Sequence, residues 1–495
     1  MAPDPHAPVL IGLGEAVHRP GEPVPENTEP AALMDEAVRA AADDAGAPGV
    51  LAAIQAVAVA PSAAWTDGDP GRRVAELLGL DGVTTLRSSM QGGNGPQLLV
   101  NVLAERVQAG ALDAAVVCGA EALATLAGAM KRGESPGWPE PDGERRADEV
   151  LEEDAAANNE AELAAGLIAP IMAYPLIENA IRRDAGRTQD EHLDVIAGLW
   201  SRFIAVAATQ PAAWSPKAYG ADELRTPSPS NRQVTLPYLK LLNSNIQVDQ
   251  GGAVILTSAA KAEALGVPRD RWVYVHAGAR ATDEWFLSER HELHRSPAIR
   301  ACGAAVYEHA GIGPDDLGPI DLYSCFPSAV QLGARELGLP LDRELTCTGG
   351  LTFFGGPGNN YATHGIIAVA RRLREAAPGT VGLSTALGWY ATKHAVGLYG
   401  NAAPARPFAA YEPELEPTPK REVAPAEELT ATAETCTLIY DKSGPPSYGI
   451  LFALTADGRR AVAKADDPDT LATMAEDSFL GSTVTVHADR SFSLV

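Results

Sequence analysis

Ser88-Ser89-Met90-Gln91-Gly92-Gly93-Asn94-Gly95-Pro96-Gln97 lies between two runs of different period. Val83 to Arg87 before it reads as a short strand, and Pro96 to Ala109 after it reads as a helix. The next run, Ala114 to Ala120, is apolar throughout, as a strand buried on both faces must be. Strand, glycine-rich turn, helix and buried strand make βαβ grammar. Upstream the same alternation places strand Val9 to Leu13, helix Ala31 to Asp44, strand Ala56 to Val59 and helix Arg73 to Leu78. A further strand is expected at Ala253 to Ser258. From Trp272 the pattern begins again. It predicts strand Trp272 to His276, helix Pro297 to Ala310, strand Ile320 to Tyr323, helices Ala329 to Leu337 and Thr363 to Glu375, and strands Thr380 to Leu387 and Ala395 to Tyr399. The fold class is therefore α/β, with two copies of one layout: an N-terminal unit over residues 1–270 and a C-terminal unit over 271–402.

Residues 129–248 interrupt the first copy. They hold much Trp, Pro and charge, including Glu152-Glu153-Asp154 and Thr226-Pro227-Ser228-Pro229-Ser230, and read as an inserted loop domain. After Gly400, Ala403-Pro404-Ala405-Arg406-Pro407 and then Pro413, Pro417 and Pro419 stiffen a linker. Short strands at Leu429 to Tyr440, Tyr448 to Leu454, Arg460 to Lys464, Thr483 to His487 and Phe492 to Val495, around a helix at Pro468 to Glu476, predict a small OB-like β domain over residues 403–495.

A chain of 495 residues exceeds one ordinary core, since a domain holds roughly 150 residues. Apolar residues at 46% and charged residues at 21% describe a folded globular chain. A formal net charge of −25 repels polyanions, so no nucleic-acid partner is expected. The same charge opposes anionic coenzyme A unless basic side chains or helix N-termini gather locally. No apolar stretch approaches the ~20 residues that span a bilayer. Met1-Ala2-Pro3-Asp4-Pro5-His6 has no basic residue ahead of an apolar core, so a cytoplasmic protein without a membrane span is expected. Cys118, Cys302, Cys325, Cys347 and Cys436 lie far apart with no His at ligand spacing, which argues against disulfides and against a metal site.

With Gly95 and Gln97 set on its Gly and Gln, the opening segment resembles the thiolase nucleophile turn, C-x-S-G followed by a helix, and the nucleophilic Cys position falls on Gly92. Asp321-Leu322-Tyr323-Ser324-Cys325-Phe326 resembles the H-D-C-F motif of sterol-carrier-type thiolases, with Tyr323 in the His place and Ser324 in the Asp place. Gly349-Gly350-Leu351-Thr352-Phe353-Phe354-Gly355-Gly356-Pro357 resembles G-G-x(4)-G-H-P, with Gly356 in the place of the catalytic His. Ser384-Thr385-Ala386-Leu387-Gly388-Trp389 stands where thiolases carry the acid cysteine of C-x-G, and Gly388 takes its place. Three further runs matter: Pro237-Tyr238-Leu239-Lys240-Leu241-Leu242-Asn243-Ser244-Asn245, Gly355-Gly356-Pro357-Gly358-Asn359-Asn360-Tyr361 and Thr392-Lys393-His394. With these the chain is similar, over essentially its whole length, to the thiolase-like protein type 1 group of the thiolase superfamily. That group resembles acetyl-CoA acetyltransferases and sterol carrier protein x thiolase and has an additional C-terminal domain.

The resemblance implies a thiolase fold of two similar βαβ units in five αβαβα layers. It implies an acyltransferase family of lipid metabolism, with coenzyme A or acyl-CoA as ligand and no covalently bound cofactor. It also implies a degenerate active site. Thiolase chemistry needs an acyl-accepting thiolate, a base to make it and a second thiol to move the α-proton, and all three positions are glycine.

Asn94, Asn359, Asn360, Tyr361 and His364 are candidates to ring the vacated pocket, because amides and an imidazole beside glycine turns hydrogen-bond a thioester carbonyl. Asn after Gly equally supplies a left-handed turn, and His364 at a helix start equally caps it. Tyr323 ends a strand with a phenol able to move a proton, or packs at the strand edge. With His364 it is the catalytic candidate, whereas Cys325 reads as a buried small hydrophobe. Lys393 and His394 fall at the pocket mouth as substrate-binding groups, or in solvent. Arg225, Arg232 and Lys240 belong to the insertion that, by resemblance, covers CoA, and are candidates for its phosphates or simply solvated charge. Three functions are consistent with these residues. One is an acyl-CoA-binding protein without Cys-dependent thiolysis or Claisen condensation. Another is a retro-aldol lyase on CoA-linked substrates with Tyr323 as acid or base. The third is a non-enzymatic scaffold that docks a protein partner through its C-terminal domain and acidic surface.

Overall fold

The structure, a computed structural model, describes every residue except 1–3, 24, 26, 216 and 443. The first three residues of the N-terminal segment read above thus lie outside the described residues. The first unit runs β1 (Pro8–Val17), α1 (Pro30–Asp44), β2 (Ala56–Ala60), α2 (Pro70–Leu78), β3 (Thr84–Arg87), α3 (Gly95–Gln108) and β4 (Ala114–Ala122). Each of its three helices has a proline in the first turn, where a missing N–H costs no helical bond. Asp69 caps α2 by accepting from Arg72 N, and Gly79 ends it at a left-handed φ of 71°. The insertion adds α4 (Leu123–Arg132), β5 (Glu149–Val150), α5 (Glu160–Ala164), α6 (Pro170–Asp184), α7 (Gln189–Ala207) and α8 (Ala221–Arg225). The chain then returns to the sheet as β6 (Asp249–Ser258) and leaves through α9 (Ala259–Leu265).

The second unit runs β7 (Val273–Thr282), α10 (Pro297–Ala310), β8 (Leu317–Asp321), α11 (Pro327–Glu336), α12 (Gly350–Phe353), α13 (Tyr361–Glu375), β9 (Val381–Gly388) and β10 (Lys393–Gly400). The strands form one mixed sheet in the order β5-β3-β2-β4-β6-β1-β7-β10-β9-β8, and β11 (Ala409–Tyr411) pairs with β7. From the centre outward, β1-β6-β4-β2 on one side and β7-β10-β9-β8 on the other repeat one connectivity. Among the described residues the halves pair directly only through Val9 with Tyr274 and Leu10 with Val273. Between them lie α3 and α13, whose Leu99, Leu103, Ile366 and Leu373 share a core with β1, β4, β6 and β7. Helices α1 and α2 cover one outer face and α10 and α11 the other. The result is the five-layer αβαβα thiolase arrangement.

The C-terminal region forms a separate antiparallel sheet of β12 (Leu429–Tyr440), β13 (Pro446–Thr455), β14 (Arg460–Ala465), β15 (Thr483–Val486) and β16 (Phe492–Leu494), with α14 (Pro468–Met474) between β14 and β15. Its order is β14-β13-β12-β15-β16, and the end strands approach where Lys464 N donates to Arg490 O at 2.8 Å. A third-second-first-fourth-fifth order with a helix after the third strand is OB-like. Cys436, Leu438, Leu451, Phe479 and Phe492 belong to its own core. Cys118, Cys302, Cys325, Cys347 and Cys436 are free and buried. Among the described residues no helix is long and apolar enough to cross a membrane.

Candidate functional site

The turn from β3 into α3 meets the end of β8 and the β9–β10 hairpin. A Cβ added to Gly388 would stand 3.1 Å from Gly92 Cα, so two of the glycines in the expected catalytic places touch. Gly92 and Gly356 line one cleft of about 420 Å³. Much of its wall is apolar, with Ile171, Ile246, Phe326, Leu351, Leu387 and Trp389. Among the described residues no carboxylate, ammonium, guanidinium or imidazole lines it.

The volume that side chains on Gly92 and Gly388 would need is already filled. Asn94 Oδ1 lies 2.5 Å from a Cβ built on Gly92 and also abuts one built on Gly388. Asn94 Nδ2 donates to Glu152 at 3.1 and 3.2 Å. Lys393 Nζ donates to Ser89 Oγ at 2.6 Å and to Glu152 Oε2 at 2.9 Å, and stands 3.1 Å from the Gly92 Cβ position. An amide, an ammonium and a carboxylate thus occupy the space behind the glycines, and Lys393 is buried beneath the turn.

Tyr323 is one of the polar groups that line the cleft. Its hydroxyl lies directly over Gly93, where any Cβ would collide with it. Its ring packs edge-on against Tyr361 at 5.3 Å. It is 7% exposed, and among the described residues its hydroxyl has no hydrogen-bond partner. Burial, with the nearby Cys325, pushes its pKa well above the ordinary phenol range. A phenol so shifted is in its protonated form at neutral pH. Cys325 lines the same cleft, and burial pushes its thiol up to about 12, far from thiolate. Opposite, Trp389 and Ala391 adopt left-handed φ of 57° and 53°. Tyr174 clamps this strained hairpin by donating to Trp389 O and accepting from Ala391 N, both at 3.0 Å.

A family model described as the thiolase-like protein type 1 additional C-terminal domain matches residues 412–491. The crystal structure of a monomeric SCP2-thiolase like protein type 1 from Mycobacterium smegmatis is 30% identical, with a TM-score of 0.83 over 99% of this chain and 100% of that one. This chain belongs to the SCP2-thiolase-like protein type 1 family. More distant folds surround the type 1 protein. The dimeric peroxisomal thiolase of Saccharomyces cerevisiae is 14% identical, with a TM-score of 0.56 over 80% of this chain and 97% of that one. The Ltp2-ChsH2(DUF35) aldolase is 19% identical, with a TM-score of 0.59 over 80% and 98%. No curated protein matches the chain.

In this chain the remaining candidates divide. Asn359 lines the cleft, yet its amide is engaged with backbone: Oδ1 accepts from Gly92 N at 3.1 Å, and Nδ2 donates to Pro61 O and Met90 O at 2.9 and 3.1 Å. Asn360 donates to Gly119 O at 2.6 Å. Tyr361 is buried behind Tyr323, its hydroxyl 2.6 Å from Thr348 Oγ1. His364 lies off the cleft, buried against Phe354, with Nδ1 2.7 Å from Glu15. His394 is buried 3.1 Å from Asp283. Arg225 pairs with Asp190 and Asp194, Arg232 donates to Gln233 O, and Lys240 is exposed; none of the three lines the cleft. Sequence reading missed Tyr174, and it held Glu152 and Trp389 only within longer runs, with no role given to either. Asn243, quoted only within a longer run, lines the cleft with a buried Oδ1 that has no partner among the described residues.

Proposed function

We propose that the cleft binds the acyl end of an acyl-CoA, the thioester carbonyl receiving a hydrogen bond from Tyr323, without Cys-dependent thiolysis or Claisen condensation. The observation that carries this is an apolar cleft lined by Gly92 and Gly356, with Gly388 against Gly92, in which burial pushes the lining thiol of Cys325 up to about 12. Apolar walls suit an acyl chain, and a neutral phenol suits a carbonyl oxygen. Similarity in fold to an acetyl-CoA acetyltransferase from Syntrophomonas wolfei, 17% identical with a TM-score of 0.57, supports the choice of ligand class. On this view the protein works in the cytoplasm, in lipid metabolism, with no covalent cofactor. Calorimetric titration with CoA, acetyl-CoA and longer acyl-CoAs tests it: saturable heat is expected with the acylated ligands, and its absence for all of them refutes the proposal. Steady thiolysis of acetoacetyl-CoA would equally refute the loss of chemistry.

One observation favours a second function, retro-aldol cleavage of a CoA-linked β-hydroxyacyl chain. The Tyr323 hydroxyl, without a partner among the described residues, gives its proton to the α-carbon of the thioester enolate left when the Cα–Cβ bond breaks, and the phenolate takes back the β-hydroxyl proton as the carbonyl product forms. Tyr323→Phe is then expected to lower turnover by about 10²-fold or more while acyl-CoA affinity falls only about tenfold. Turnover unaffected by the substitution would remove Tyr323 from the chemistry.

A further inference from the structure

The C-terminal barrel reaches the cleft without touching the ligand space, because α6 lies between them. Ile171 and Tyr174 on one side of this helix line the cleft. Met172, Leu176, Asn179 and Arg183, at helical spacing on another side, meet the barrel. The one hydrogen of Tyr448 Oη is shared between Gly166 O at 3.2 Å and Met172 Sδ at 3.5 Å. Thr435 donates to Leu176 O at 2.6 Å, Asn179 donates to Cys436 O at 2.9 Å, and Arg183 donates to Ala433 O at 3.0 Å. The contact at Gly166 is close on both counts: its φ is +81°, and a Cβ there would stand 3.1 Å from the Tyr448 ring. Lys464 Nζ holds the ring from within the barrel at 4.8 Å. Ala169 and Pro170, a few residues on, line the cleft. On the far side Tyr174 stacks on Phe326 at 4.5 Å and clamps Trp389, both of them cleft residues.

We infer that the barrel sets the length of apolar chain the cleft accepts, with Tyr448 as the positioning residue that fixes the wall from Gly166 to Tyr174. This rests on the proposal that the cleft holds an acyl chain and assigns the additional domain a part in its selectivity. Close packing transmits the barrel's position to the wall, because a packed interface shifts as a body. The experiment uses the full chain as wild type, Tyr448→Ala and Tyr448→Phe. Each is titrated with butyryl-, octanoyl- and myristoyl-CoA and, in parallel, with uncharged methyl ketones of matching chain length; thermal melting reports folding.

Tyr448→Ala is expected to move the preferred length in both series, changing the ratio of long-chain to short-chain affinity by roughly tenfold, the weight of a methylene or two in an apolar pocket. Tyr448→Phe keeps the ring and drops the hydroxyl's hydrogen bond, so it moves the ratio in the same direction by less; it serves alone if the alanine variant does not fold. A length profile parallel to wild type, including uniform weakening, overturns the inference. Wild-type binding of ketones but of no acyl-CoA defeats the CoA proposal alone, and the ketone profile still decides this one. Binding of neither series defeats both.

Discussion

An ammonium group leaves water only where oxygen atoms replace its hydration. Lys393 meets that condition through Glu152 and Ser89, with Asn94 closing the network. Lys393→Met strips the cation and leaves a largely buried carboxylate facing an amide, so a loss of about 3 kcal/mol is expected in urea unfolding. The double variant Lys393→Met/Glu152→Gln should recover much of that loss, because no charge is then stranded. An unchanged midpoint for the single variant would show that the network contributes nothing to stability. Lys393 was legible as a residue near the site, since it adjoins a conspicuous strand turn. Glu152 was not, because its partner lies 241 residues away and a run of acids looks the same whether one of them turns inward or none does. Tyr323 was legible by position, but its protonation state depends on burial that only packing supplies.

At the scale of elements, strands and helices of the two units were legible because their signals are local: alternation, apolar runs, and Pro or Gly at the ends. The OB-like region was legible for the same reason. The insertion resisted, since α6 buries Ala173 through Arg182 with hardly a break, and a helix covered on several sides shows no single apolar stripe. The short segment before α13 shows how one element can serve packing as well as a site. Asn359 lines the cleft and also ties the second unit to the turn at Met90 and Gly92. Asn359→Ala should therefore cost about 2 kcal/mol through three lost bonds. Asn359→Asp should cost more than alanine, because a carboxylate would face the carbonyls of Pro61 and Met90, which now receive N–H donors. Chemical denaturation of both variants checks the order. A ligand-contact role predicts the reverse pattern, with affinity falling and stability unchanged.

At the scale of the molecule, the halves share a narrow strand pairing and are joined further by charge. Glu15 on β1 accepts from His364 Nδ1 and from Arg371, both on α13. Nearby, Arg374 of α13 pairs with Asp44 at the end of α1 at 2.7 Å. Burial alone would raise the Glu15 carboxyl, but the hydrogen bond from His364 and the charge of Arg371 outweigh it and hold the group at about 2, below its ordinary 4.5. A carboxyl whose folded-state pKa is depressed contributes stability that is fully present above its unfolded value and is lost as the pH falls toward its folded value. The window is therefore pH 4.5 down to about 2, and the contribution at stake is about 3 kcal/mol. Glu15→Gln should make the protein less stable at neutral pH by about that amount and flatten its loss of stability within the window, so that variant and wild type converge in acid. Urea midpoints measured across the window test this directly. Parallel acid profiles would show that Glu15 does not couple proton uptake to the joining of the two units.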